Sequence, residues 1–132
     1  MTTTLDIAVA QPSTVAHDVG GNVERHADAV RSARARVVVF PEMSLTGYEF
    51  DAAPLDPSDH RLGTLADACA DTGTIALAGA PVAAPDEGAS IGVLRFGDGS
   101  ADVVYRKMWL GDAETGPFIP GREPAVITVD GW

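Results

Sequence analysis

The chain has 132 residues, the size of one ordinary domain. It carries 9 Lys and Arg against 19 Asp and Glu, a formal charge of −10, which argues against nucleic acid and anionic membrane as partners because both need clustered cations. With 45 % hydrophobic residues it is too apolar for disorder, yet no apolar run approaches the ~18 residues of a membrane span.

The opening Met1-Thr2-Thr3-Thr4 has neither a basic nor a long apolar region and reads as no secretory signal, so a cytoplasmic location is expected. Leu5 to Ala10 alternates and stops at Gln11-Pro12, which predicts a strand. Asn22 is the expected N-cap of a first helix, with Glu24 in its first turn and Val23, Ala27, Val30 and Ala33 on one face. Val37 to Phe40 is a continuous apolar run ended by Pro41, the pattern of a strand buried on both faces. A loop over 51–57 leads to a second helix, capped by Asp59, with Leu62, Leu65, Ala66 and Cys69 as its stripe and Gly73 at its end.

Thr74 to Ala80 predicts a third strand, and 81–90 a loop beginning at Pro81. Ile91–Phe96 and Ala101–Arg106 flank Gly97-Asp98-Gly99-Ser100, a hairpin signal. Residues 111–124 hold glycines and prolines and predict irregular chain, and Ala125–Val129 predicts a last short strand before an Asp130-Gly131 turn. Strands alternating with helices, then a hairpin, imply an α/β mixed sheet with helices on one face.

Two stretches carry chemistry. Glu42 directly follows the most hydrophobic strand, at the carboxyl end where open α/β sheets bind ligands. Desolvation there would suit a carboxylate to general-base work, and the plainer alternative is a turn residue facing water. Lys107 is the single lysine among nine cations. A compact ammonium can stabilise a developing oxyanion; a strand-end lysine in solvent is the commoner case. Glu114 lies seven residues further on. Cys69, the one cysteine, excludes an internal disulfide and a Cys-based zinc site, and its place on an apolar helix stripe predicts a buried thiol of raised pKa. His17, His26 and His60 fit no metal spacing and read as surface histidines.

Val38-Val39-Phe40-Pro41-Glu42-Met43-Ser44-Leu45-Thr46-Gly47-Tyr48 resembles the first motif of the nitrilase superfamily of carbon–nitrogen hydrolases. Tyr105-Arg106-Lys107-Met108-Trp109-Leu110, with Glu114 and Phe118-Ile119-Pro120-Gly121, resembles its second, and Ala8-Val9-Ala10-Gln11 and Asn22 match its usual beginning. The resemblance implies an α-β-β-α sandwich, of which residues 1–132 would be a single partial domain, the N-terminal half. It implies a Glu-Lys-Cys triad: Glu42 as base, Lys107 stabilising the tetrahedral oxyanion and Glu114 assisting. Tyr48 and Trp109 would border the substrate pocket, Trp109 standing where many relatives carry His. No metal or organic cofactor is implied. The partner would be a small amide or nitrile, and homo-oligomers are common among relatives.

The family's nucleophile lies in a Gly-x-x-x-Cys-like stretch, and Val129 to Trp132 ends short of it. The expectation is therefore a fragment inactive by itself. Two rivals remain: a truncated, non-catalytic small-molecule binding or regulatory module, and a hydrolase using Glu42 and Glu114 as an acid–base pair.

Overall fold

The computed structural model describes residues 4–132. The reading of Met1 to Thr3 as part of no secretory signal lies outside these described residues. Five strands form one mixed sheet in sequence order: β1 (Ile7–Val9), β2 (Val37–Val39), β3 (Ile75–Ala83), β4 (Ala89–Gly97) and β5 (Ser100–Arg106). The first three are parallel, and β3, β4 and β5 are antiparallel. Helix α1 (Val19–Ala33) connects β1 to β2; helix α2 (Gly63–Thr72), entered through a 3-10 turn at His60–Leu62, connects β2 to β3.

Both helices lie on one face of the sheet. Val23, Val30, Leu65 and Cys69 pack there against Val38, Ala76, Ala78, Leu94 and Phe96 in one core cluster. The sheet side of that contact is alanine along β3, where Ala76, Ala78 and Ala80 are all buried. Small side chains on the middle strand let the helices approach closely, and Phe96 and the helix leucines fill the space that remains.

Local chemistry explains most boundaries. The Asp59 carboxylate accepts from Arg61 N and so caps the 3-10 turn and not α2 itself, whose first residue follows Leu62 without a side-chain cap, and Gly73 closes α2 in the left-handed region at φ 65°. Asp98 and Gly99 both have positive φ, as a two-residue hairpin turn requires.

Three further expectations change. Helix α1 begins a turn earlier than Asn22: Asp18 is the cap, its carboxylate accepting from Gly21 N, and Gly20-Gly21 had masked the first turn. Strand β3 runs through Pro81 to Ala83. Its pairing with β2 ends at Leu77, so Pro81 sits at a local edge where a missing N–H is tolerated. Ala125–Val129 is not a strand. Ile127 and Val129 instead lie across the helix-free face on Val37, Val39 and Ile75, and Arg36 holds Asp130 at 2.8 Å.

Candidate functional site

The carboxyl end of β2 positions Glu42. Phe40 N still bonds Leu77 O at 2.9 Å, Pro41 ends the pairing, and Leu45 N returns to Gly79 O at 2.9 Å. Glu42 and Met43 therefore cross directly over Gly79. A Cβ at that position would lie 2.4 Å from Met43 N and 3.1 Å from Glu42 Cα, so only glycine permits the approach.

Lys107 reaches the same place from the end of β5. Ala101 and Val103 pair with Phe96 and Leu94, which face the helices. Strict alternation would point Tyr105 and Lys107 the same way. A bulge intervenes: Leu94 pairs Val103 but Val93 pairs Tyr105, leaving Val104 as the extra residue. The alternation is reversed beyond it, and Tyr105 and Lys107 emerge on the helix-free face beside Val93 and Ile91. Lys107 N bonds Ile91 O at 2.8 Å, and Gly121 N bonds Lys107 O at 2.8 Å, fixing the lysine backbone on both sides.

The ammonium joins two carboxylates. Lys107 Nζ donates to Glu42 Oε1 at 3.0 Å and to Glu114 Oε1 at 3.1 Å. The Glu42 side chain is 40 % exposed and that of Glu114 only 6 %. A carboxylate so buried needs several donors. Glu114 has Lys107, the Gly111 N–H at 2.8 Å and the Tyr48 hydroxyl. Its loop is anchored by buried Phe118, which packs on Met43 and Ile91.

A cavity of about 210 Å³ opens beside Glu42 and Lys107, walled by Val39, Phe40, Leu77, Ile91, Val93 and Tyr105 among others. Apolar walls with a few polar groups at one end are the usual form of a small-molecule site. Glu42, Lys107 and Glu114 meet at one point, and Tyr48, expected at the pocket, joins them through its hydroxyl without lining the cavity, its ring half exposed. Trp109, expected at the pocket, is 84 % exposed and borders neither this cavity nor the neighbouring one beside Met108 and Ile127.

Cys69 is buried on α2, and burial pushes its thiol up to about 11. The histidines divide. His60 is exposed at its side chain. His17 is exposed and bonds Asp51 at 2.8 Å. Glu49 lies near that pair, so three potential ligand atoms fall within 4.8 Å of one another. His26 is not a surface residue: it is fully buried beneath the Glu42 segment. Its place was legible, since it lies three residues after Val23 on the apolar face of α1. Gly79 was legible too, as a lone glycine amid strand residues. The bulge at Val104 has no glycine to announce it.

The sequence model described as carbon-nitrogen hydrolase matches residues 6–132. Among curated proteins, none matches the chain significantly. Solved structures do. The NitN amidase of Nesterenkonia sp. AN1 is 23 % identical with a TM-score of 0.79, over 97 % of this chain and 54 % of that one. XC1258 of Xanthomonas campestris, a CN-hydrolase superfamily protein with an arsenic adduct in its active site, is 21 % identical with a TM-score of 0.81, over 97 % and 50 %. The glutamine-dependent NAD+ synthetase of Acinetobacter baumannii is 20 % identical with a TM-score of 0.76, over 96 % of this chain and 26 % of that one. The chain thus spans about half the length of the first two.

Proposed function

Since the chain belongs to the carbon–nitrogen hydrolase family, we propose that it carries the base and oxyanion-stabilising groups of an amidase-type hydrolase acting on small amides or nitriles. The observation that carries this reading is one ammonium held between two carboxylates, 3.0 Å from Glu42 and 3.0 Å from Glu114, at the mouth of an apolar cavity. In one mutant of the Nesterenkonia amidase acrylamide has added to the active-site cysteine, and another mutant has been captured with butyramide. Those facts belong to that protein and guide the choice of substrate here.

In the proposed reaction Glu42 takes the proton of a cysteine thiol as the sulfur attacks the amide carbon. Lys107 faces the oxygen on which negative charge develops, in a setting where fixed charge is most effective. The C–N bond breaks, the nitrogen leaves protonated as ammonia or an amine, and water hydrolyses the thioester with Glu42 again receiving a proton. Glu114 holds Lys107 from the far side, and Tyr48 holds Glu114. No step needs a metal or an organic cofactor.

Cys69 is a poor fit for that thiol: it is buried on α2, lines no part of the cavity beside Glu42 and Lys107, and burial pushes its pKa up. Residues 1–132 alone are accordingly expected to release no ammonia from butyramide. The coding DNA past the Trp132 codon decides the next step. If it encodes a cysteine-bearing continuation, the longer protein should hydrolyse butyramide, and Glu42→Gln should lower kcat/KM by about 10²–10⁴. Turnover by residues 1–132 that survives Cys69→Ala would overturn the triad. The buried Cys69 also favours a second reading, a binding module without turnover. Saturable butyramide binding by residues 1–132, lost in Glu42→Gln, together with a stop codon after Trp132, would favour it.

A further inference from the structure

His26 is the most deeply placed titratable group outside the Glu42–Lys107–Glu114 cluster, and the chemistry proposed above makes no use of it. Its surroundings are specific. Nδ1 lies 2.7 Å from Asn22 O, a group that can only accept, so Nδ1 carries the proton. Nε2 is then an acceptor, and the Ser44 hydroxyl, 2.8 Å away, donates to it. The ring stacks on Phe40 with centroids 4.2 Å apart. Phe40 and Ser44 stand two residues before and two after Glu42.

One imidazole therefore grips both flanks of the segment that presents Glu42. One turn earlier on α1, Asn22 Nδ2 donates to Leu45 O at 3.0 Å and adds a third hold. From the opposite side the segment is pressed against Gly79. Burial keeps the imidazole neutral, its pKa pushed down to about 4, which agrees with the single tautomer these contacts demand. An apolar residue of similar size would fill the space but would leave the Ser44 hydroxyl, itself buried, without its acceptor.

We propose that His26 is a positioning residue that holds Glu42 in contact with Lys107. The proposal rests on the reading of Glu42 and Lys107 as working partners, and it assigns α1 a part in the site: through His26 the helix sets where the carboxylate stands.

Lys107 is the chain's only lysine, so its acylation by an N-hydroxysuccinimide ester, followed by peptide mass spectrometry, reports on the pair without need of turnover. Acylation needs a free amine nitrogen, and Nζ is held in contact with two carboxylates. Glu42→Gln should raise the acylation rate by about two- to fivefold, the range of a partly exposed ion pair. In the folded variants His26→Leu and Ser44→Ala the rate should rise by a similar factor. Adding Glu42→Gln to either should give no further rise, and His26→Gln, whose amide oxygen can accept from Ser44, should return the rate toward that of the native chain. A residue that merely supports the fold would not produce this saturation or this rescue.

If Glu42→Gln raises the rate while folded His26→Leu and Ser44→Ala leave it unchanged, the positioning role is overturned and the Glu42–Lys107 pair stands. If Glu42→Gln itself changes nothing, the pairing fails, and the positioning role with it. Should His26→Leu not fold, Ser44→Ala decides alone, since it removes only the hydroxyl that His26 receives.

Discussion

His26 shows at single-residue scale how a buried polar group is tied to pH. Its pKa falls from 6.5 to about 4 on folding, chiefly through desolvation. The folded state thus binds its proton less readily than the unfolded chain. Stability from this group is fully present above pH 6.5 and is lost as pH falls toward 4. At 1.36 kcal/mol per pKa unit, the whole loss is about 3 kcal/mol. Urea unfolding midpoints of the native chain and of His26→Gln, measured from pH 7 to pH 4, should therefore converge as the pH drops. Parallel curves would mean that His26 does not titrate with folding. At this scale Glu42 was legible because it follows a buried strand and Pro41, Lys107 because it is the single lysine at a strand end, and Glu114 only through the motif resemblance. The Tyr48–Glu114 bond and the His26–Ser44 bond were not, since partners 66 and 18 residues apart meet only through packing.

At the scale of elements, sequence pattern located both helices and all five strands, and the errors fall where tertiary contacts override local preference. Asn22 looks like a cap by residue type. In the fold it is a buried bracket: its side chain accepts from Val15 N at 2.9 Å and donates to Val15 O at 2.8 Å and Leu45 O at 3.0 Å. The actual cap, Asp18, lies at the surface. The two residues should differ accordingly in denaturant unfolding. Asp18→Ala loses one capping bond, a cost of about 1 kcal/mol. Asn22→Ala removes its side-chain bonds to Val15 and leaves the buried Leu45 carbonyl without that donor, and should cost more, about 2–3 kcal/mol. Equal losses would return the start of α1 to Asn22. The bulge at Val104 is likewise set by tertiary pairing. Alternation read from Ala101 onward gives the wrong face for Lys107, and only the pairing with β4 reverses it.

For the whole molecule, the helix-covered face is closed and the other face is only partly covered. On the open side Ile7 is 57 % and Val9 80 % exposed, and the covering chain adds Val126 at 92 % and Trp132 at 55 %. Ile127 and Val129 cover only Val37, Val39 and Ile75 on that side. Among the described residues, β1 and β5 each pair on one side only, so the sheet has two free edges as well. A free edge beside an exposed apolar face invites association. Sequence pattern could not foresee this face, because an apolar strand reads the same whether its cover is a helix, a second sheet or another molecule. Residues 1–132 by themselves should therefore associate through it. Sedimentation velocity across a range of concentrations should give a weight-average mass above the 13.7 kDa monomer. Val9→Lys places a charge on the open face without touching the helix-side core, and it should shift the distribution back toward monomer. A chain that stays monomeric at every concentration, with Val9→Lys indistinguishable from it, would show that the open face is too small or too broken by Ile127 and Val129 to drive association.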